Sequence, residues 1–100
     1  MVLSIKLDER DNVATVTEAA SAGGSVRVLT RQGQERERVR ADVDIPVFHK
    51  IALVDLATGA PDTKYGEVIG RASMPIRRGA WVHVHNLESA DLPEDLQSQG

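Results

Sequence analysis

Gly79-Ala80-Trp81-Val82-His83-Val84-His85-Asn86 holds two of the chain's three histidines, two residues apart in a strand-like run. Strand side chains alternate between faces, so this spacing predicts Trp81, His83 and His85 on one face and Val82 and Val84 on the opposite, core-facing one. Paired neutral imidazoles beside the Asn86 amide can ligate a divalent metal or donate hydrogen bonds to an anionic substrate. Two ligands do not close a metal site, which takes three or four. A third ligand would come from His49, a carboxylate or a partner chain. The ordinary alternative is a half-exposed strand whose outer face is rich in histidine.

Two further segments carry polar groups of interest. In His49-Lys50 a cation sits beside an imidazole, a pairing that suits anion binding or a general base of lowered pKa. Lys64-Tyr65-Gly66 joins an ammonium and a phenol to flexible backbone that a ligand or a second strand can approach closely. Taken singly, an ordinary loop explains the first and a β-bulge the second. Asp11-Asn12 reads locally as a helix cap. No nucleophile elbow is present, and Ser73 and Ser89 have no catalytic context. Neither standard phosphate-binding glycine loop occurs.

The elements that must position these groups are mostly strands. Val2 to Leu7 alternates apolar and polar residues. Val13, Val16, Thr17 and Ala20 fall at helical spacing after Asp11 or Asn12, which predicts one short helix ended by Gly23-Gly24. Val26 to Thr30 reads as a second strand. Val39, Ala41, Val43 and Ile45 alternate with charged residues up to Pro46, the cleanest strand signal in the chain. His49 to Leu56 reads as extended, Thr58 to Thr63 as a loop, Val68 to Met74 and Trp81 to Asn86 as strands. No internal repeat is visible. The reading is one domain over residues 1–88, mostly β, followed by an acidic polar tail at 89–100.

Composition narrows the class. With 100 residues the chain builds one core and no deep private cleft. Its 12 basic and 15 acidic residues give a net charge of -3, and Arg31, Arg36, Arg38 and Arg40 interleave with Glu35 and Glu37. That alternation of sign speaks against a nucleic-acid-tracking stripe. The chain has no cysteine, which excludes disulfides and fits a reducing cytoplasm. Neither a signal-peptide pattern nor an apolar run of the roughly 20 residues needed to span a bilayer is present. The expected location is cytoplasmic.

Taken in order, Asp11-Asn12-Val13-Ala14, His49-Lys50-Ile51-Ala52-Leu53, Lys64-Tyr65-Gly66-Glu67-Val68-Ile69-Gly70-Arg71-Ala72 and Val82-His83-Val84-His85-Asn86-Leu87 form one set. The set resembles the SAF-type N-terminal domain, or small subunit, of the altronate/galactarate dehydratase family. It is also similar to the sulfolactate sulfo-lyase small subunit. The resemblance spans about residues 3 to 88. It implies a β-clip fold and a non-autonomous subunit of a carbon–oxygen lyase, working in an oligomeric complex with a larger catalytic subunit. The pair would remove water from a sugar acid such as altronate or galactarate, or sulfite from sulfolactate. A divalent metal, Fe2+ or Mn2+, is implied, bound here or mainly by the larger subunit. By the same resemblance His49, Lys50, Lys64 and Tyr65 are the catalytic candidates, Asp11, Asn12 and Asn86 contact substrate, and His83 and His85 ligate the metal. Two positions depart from the family pattern: Phe48 stands where glycine is usual, and Asp62 where an apolar residue is usual. The competing expectation is an accessory module that binds a sugar acid, or stabilises a partner, without catalysis.

Overall fold

The computed structural model describes residues 1–89. The acidic tail expected at 89–100 lies, from residue 90 on, outside the described residues. Among the described residues there are nine strands: β1 (Val2–Lys6), β2 (Val13–Val16), β3 (Ser25–Thr30), β4 (Glu35–Arg40), β5 (Lys50–Ala52), β6 (Pro61–Lys64), β7 (Glu67–Ala72), β8 (Trp81–Val82) and β9 (Leu87–Glu88). Six form one sheet in the order β4-β3-β1-β2-β5-β8, and three form another in the order β6-β7-β9. β1 and β3 run parallel, and every other pairing is antiparallel.

No helix occurs among the described residues, so the short helix expected after Asp11-Asn12 is corrected. The segment is strand β2, held between β1 and β5. Three of its four residues are β-branched, which favours a pleated backbone. Val13, Ala14 and Val16 are all buried, because a central strand is covered on both faces and shows no alternation. Helical spacing of apolar residues there was a by-product of that two-sided burial. β6 is likewise a strand where a loop was expected. Pro61 sits at its first position, where a missing N–H costs least.

A local repeat organises the fold, although no repeat is legible in the sequence. Residues 17–25, 42–50, 53–61 and 73–81 follow the same path: a bend, a single bridge residue, a tight turn and the start of a strand. The bridge residues are Ala20, Ile45, Leu56 and Ile76, all buried. They pair two by two: Ala20 and Ile45 exchange backbone hydrogen bonds of 2.9 and 2.8 Å, and Leu56 and Ile76 exchange bonds of 2.7 and 2.8 Å. The seventh residue of each copy is Gly23, Phe48, Gly59 or Gly79, and all four have positive φ. Their N–H groups donate to Ala41, Val16, Ala72 and Ala52, the residues just before the partner copy. Asp44 and Asp55, at equivalent places, accept the backbone N–H of Ala22 and Arg78 in the partner copies, each at 2.8 Å. At Gly79 the constraint is absolute, because a Cβ there would overlap the Arg40 carbonyl oxygen.

Each pair of turns closes over its own cluster of aliphatic side chains. Val16, Val26, Val28, Val39, Ile45 and Ile51 centre one, and Val13, Ala52, Leu56, Ala72, Ile76 and Val82 the other. With few aromatics available, Val, Ile, Leu and Ala fill both.

Candidate functional site

The second and fourth turns deliver His49-Lys50 and Trp81-Val82 side by side. β5 and β8 pair there, with Lys50 opposite Val82 and Ile51 opposite Trp81. The β6–β7 hairpin brings Lys64 to the same place. Phe48, His49, Lys50, Lys64, Val82 and His83 line a hollow of about 160 Å³. Of the expected site residues, His49, Lys50, Lys64 and His83 therefore converge.

Trp81 is the frame of this cluster. Its indole Nε1–H donates to His49 Nδ1 at 3.0 Å. An acceptor at Nδ1 fixes the neutral tautomer of His49 with its proton on Nε2. The ring thereby becomes a hydrogen-bond donor without carrying charge. The His83 ring stacks on the indole, with centroids 5.6 Å apart and planes at 11°, and lies 4.5 Å from the His49 ring. His85 leans on the same indole at 4.9 Å and 48°. Sequence reasoning noted Trp81 as a neighbour but gave it no job, since a lone tryptophan carries no signal of what it holds.

The expected strand from Trp81 to Asn86 ends at Val82, and residues 83–86 form a turn. Val84 is consequently 79% exposed instead of buried in the core. Asn86 closes the turn: its Oδ1 accepts the His83 N–H at 2.9 Å, and its Nδ2–H donates to the Trp81 carbonyl at 2.8 Å. Both ends of the buried amide thus bond backbone, and it presents His83 from behind.

Asp11 and Asn12 also bond backbone. The buried Asp11 carboxylate accepts N–H groups from Asp8, Tyr65 and Gly66 at 3.1, 3.1 and 2.8 Å. It holds the turn in which Tyr65 takes a φ of 58°, a left-handed conformation unusual for an aromatic residue. Asn12 bridges the sheets, donating to the Pro61 carbonyl and accepting the Thr63 N–H, each at 2.8 Å. These two side chains place the hairpin that carries Lys64 and Tyr65. The Tyr65 ring is 61% exposed and lies under the Lys64 ammonium at 5.6 Å.

The hollow is electrostatically one-sided. The His83 pKa is pushed below its ordinary value of 6.5, first by desolvation, then by His49, His85 and Lys50. Asp62 is fully buried, and its Oδ2 accepts from Lys50 Nζ at 2.7 Å. The arrangement offers two ammonium groups and one fixed imidazole donor, a set suited to a carboxylate. Among the described residues no three His, Cys, Asp or Glu side chains converge on one point. His83 and His85 both rest on the indole, and His49 Nδ1 is occupied. This donor set alone does not fit a divalent metal, which takes three or four protein ligands in a closed site.

Larger hollows lie elsewhere, among them one of about 250 Å³ beside Lys6, Asp8, Thr30 and Arg31 and two that are larger still. One of about 380 Å³ is bounded by Gly23, Arg40, Asp42 and Arg78. Another of about 510 Å³ is mainly apolar and borders Val43, Met74, Ile76, Trp81 and His85. Neither gathers the lysines, so size does not locate the chemistry here.

Fold and site together define a small all-β domain with a basic, imidazole-lined hollow too small to enclose a substrate. Residues 2–90 match the altronate/galactarate dehydratase SAF domain, and the chain belongs to that family. It is 38% identical over 82 residues to altronate dehydratase of Escherichia coli (strain K12), covering 82% of this chain and 15% of that protein. It is 35% identical over 78 residues to galactarate dehydratase (L-threo-forming) of the same organism, covering 78% of this chain and 14% of that protein. It is 47% identical over 45 residues to the (2R)-sulfolactate sulfo-lyase subunit alpha of Chromohalobacter salexigens, covering 45% of this chain and 48% of that subunit. The chain thus spans only about one-seventh of each dehydratase. No helix among the described residues is long and apolar enough to cross a membrane.

Proposed function

We propose that this chain is the small, non-autonomous part of a hydroxy-acid lyase and acts with a larger catalytic chain. The reaction would be dehydration of a sugar acid such as altronate or galactarate, or removal of sulfite from sulfolactate. The convergence of His49, Lys50, Lys64 and His83 on one hollow supports this reading most strongly. Removing the proton α to a carboxylate builds charge on that carboxylate, and fixed cations and N–H donors stabilise it. Lys50 and Lys64 supply the cations. His49, with its tautomer set by Trp81, supplies an Nε2–H donor. Tyr65 stands at the rim beside Lys64.

Two observations call for the larger chain. A hollow of about 160 Å³ holds a carboxylate group and little more, whereas ligand pockets run to roughly 300–1,000 Å³. The donor set is also short of a metal centre. Any Fe2+ or Mn2+ serving the elimination would take its ligands chiefly from the larger chain, with His83 or His85 as a contributor. The sulfo-lyase relative is named as a subunit, which supports a separate small chain here. The paired turns, each closing over its own cluster, support the β-clip arrangement.

Reconstitution with a larger dehydratase chain tests the proposal. Elimination should require both chains. His83→Ala should remove most activity while leaving the circular dichroism spectrum and melting temperature near those of the parent. Full activity of the larger chain alone would favour the accessory-module reading.

A further inference from the structure

Asp62 is fully buried in β6, and burying a carboxylate is costly unless the charge is matched. Its match is Lys50, at 2.7 Å, whose side chain is 16% exposed. The other oxygen, Oδ1, is buried without a hydrogen-bond partner. Only one of the two oxygens is used, and it is used on Lys50. A carboxylate serving the strands would bond backbone N–H groups through both oxygens, as Asp11 does. Stability does not explain the pair either, since an apolar replacement of a buried ion pair is often neutral or stabilising.

The surroundings fix where that carboxylate stands. Asn12 clamps the backbone on both sides of it, at Pro61 and Thr63. Across the hairpin Asp62 registers with Gly70, where a Cβ would stand 3.0 Å from the Glu88 carbonyl oxygen, so the partner strand is also tightly packed. Lys64, by contrast, makes no ion pair among the described residues. The hollow therefore has one ammonium held by a carboxylate and one, over the Tyr65 ring, that is not.

We infer that Asp62 is the positioning residue of the basic hollow, holding the Lys50 ammonium at one fixed point against which a ligand carboxylate registers. Asp62 does not touch the ligand. It acts through Lys50, leaving Lys64 to close on the carboxylate from the opposite side. The inference rests on the carboxylate-binding reading above.

The test uses the full chain, with galactarate as the probe and NMR as the readout. The Lys50 ammonium 15N–1H signal appears only while its protons are shielded from exchange. Galactarate affinity is followed through the His49 and His83 ring signals. In Asp62→Leu the ammonium signal should vanish, the melting temperature should fall because Lys50 is left largely buried without its partner, and affinity should fall about tenfold, as expected for losing one charge-assisted contact. The double variant with Lys50→Ala should bind no more weakly than Lys50→Ala alone, because both changes remove the same contact. Unchanged affinity in Asp62→Leu, or additive losses in the double variant, would overturn the inference. If Asp62→Leu does not fold, Asp62→Asn decides. Its weakened carbonyl acceptor should still reduce affinity by about threefold, and wild-type affinity would overturn the inference. If the parent chain binds no galactarate while its Lys50 signal still depends on Asp62, the carboxylate reading fails and the pinning of Lys50 stands.

Discussion

Phe48 occupies the one place among the four turns where a side chain replaces glycine at positive φ, here 66°. Comparing Phe48→Gly with Phe48→Ala isolates the backbone term, since both variants lose the same phenyl ring. That ring is 73% exposed, so little packing is disturbed in either case. A left-handed conformation costs a non-glycine residue about 1–2 kcal/mol. Glycine loses about 0.5–1 kcal/mol more conformational entropy than alanine on folding. At the midpoints of the two ranges Phe48→Gly is more stable than Phe48→Ala by about 0.75 kcal/mol, the reverse of the order at an ordinary strand or helix position. For a domain of this size that is roughly 3–6 °C in melting temperature. Thermal and urea unfolding of the two variants provide the assay. An alanine variant as stable as the glycine variant would refute the equivalence of the four turns. The same series extends to Gly59→Ala, which meets nothing within 4 Å and should lose only the strain term, and to Gly79→Ala, which also meets the Arg40 carbonyl and should lose clearly more.

Asp11→Ala leaves three backbone N–H groups without their acceptor and should cost about 2–4 kcal/mol in urea unfolding, with Tyr65 released from its left-handed turn. His83 titrates below 6.5 in the folded chain, first because of desolvation and then because of His49, His85 and Lys50, so the unfolded state takes up its proton first as pH falls. Its contribution to stability is complete above about pH 6.5 and declines as pH drops through 6.5 toward the folded value. His83→Asn should therefore flatten the acid limb of stability just below pH 6.5. An unchanged limb would show that the imidazole is not held as described.

Sequence signals were strong where one face of a strand meets solvent. β1 and β3 alternate and were legible, whereas of the cleanest expected strand, Val39 to Ile45, only Val39 and Arg40 belong to β4; residues 42–45 bend into a turn whose Ile45 bridges to Ala20. Where burial is two-sided, as at Val13-Ala14-Thr15-Val16, alternation vanishes and the apolar spacing imitated a helix. The repeated turns share little beyond one buried aliphatic residue and a glycine, and even the glycine fails at Phe48. Their likeness lies in backbone hydrogen bonds that side-chain patterns do not encode. At the site, the resemblance singled out His49, Lys50, Lys64 and His83, and the pairing of β5 with β8, along with the β6–β7 hairpin, brings them together. Local pattern alone cannot announce a contact between His49 and Trp81, 32 residues apart. Asp11 and Asn12 do bond backbone, as their local reading as a cap implied, but at a turn and a hairpin and not at a helix end; the backbone work of Asn86 was hidden, because a polar side chain reads the same whether it faces a ligand or a buried N–H.

The most direct test of the central claim is a galactarate titration of the isotopically labelled chain, reading histidine and lysine side-chain signals by NMR. Shifts confined to His49, His83, Lys50 and Lys64 are expected, stronger at lower pH as His83 gains charge. Shifts centred on Arg40 and Arg78, or none at any basic side chain up to high millimolar galactarate, would contradict it.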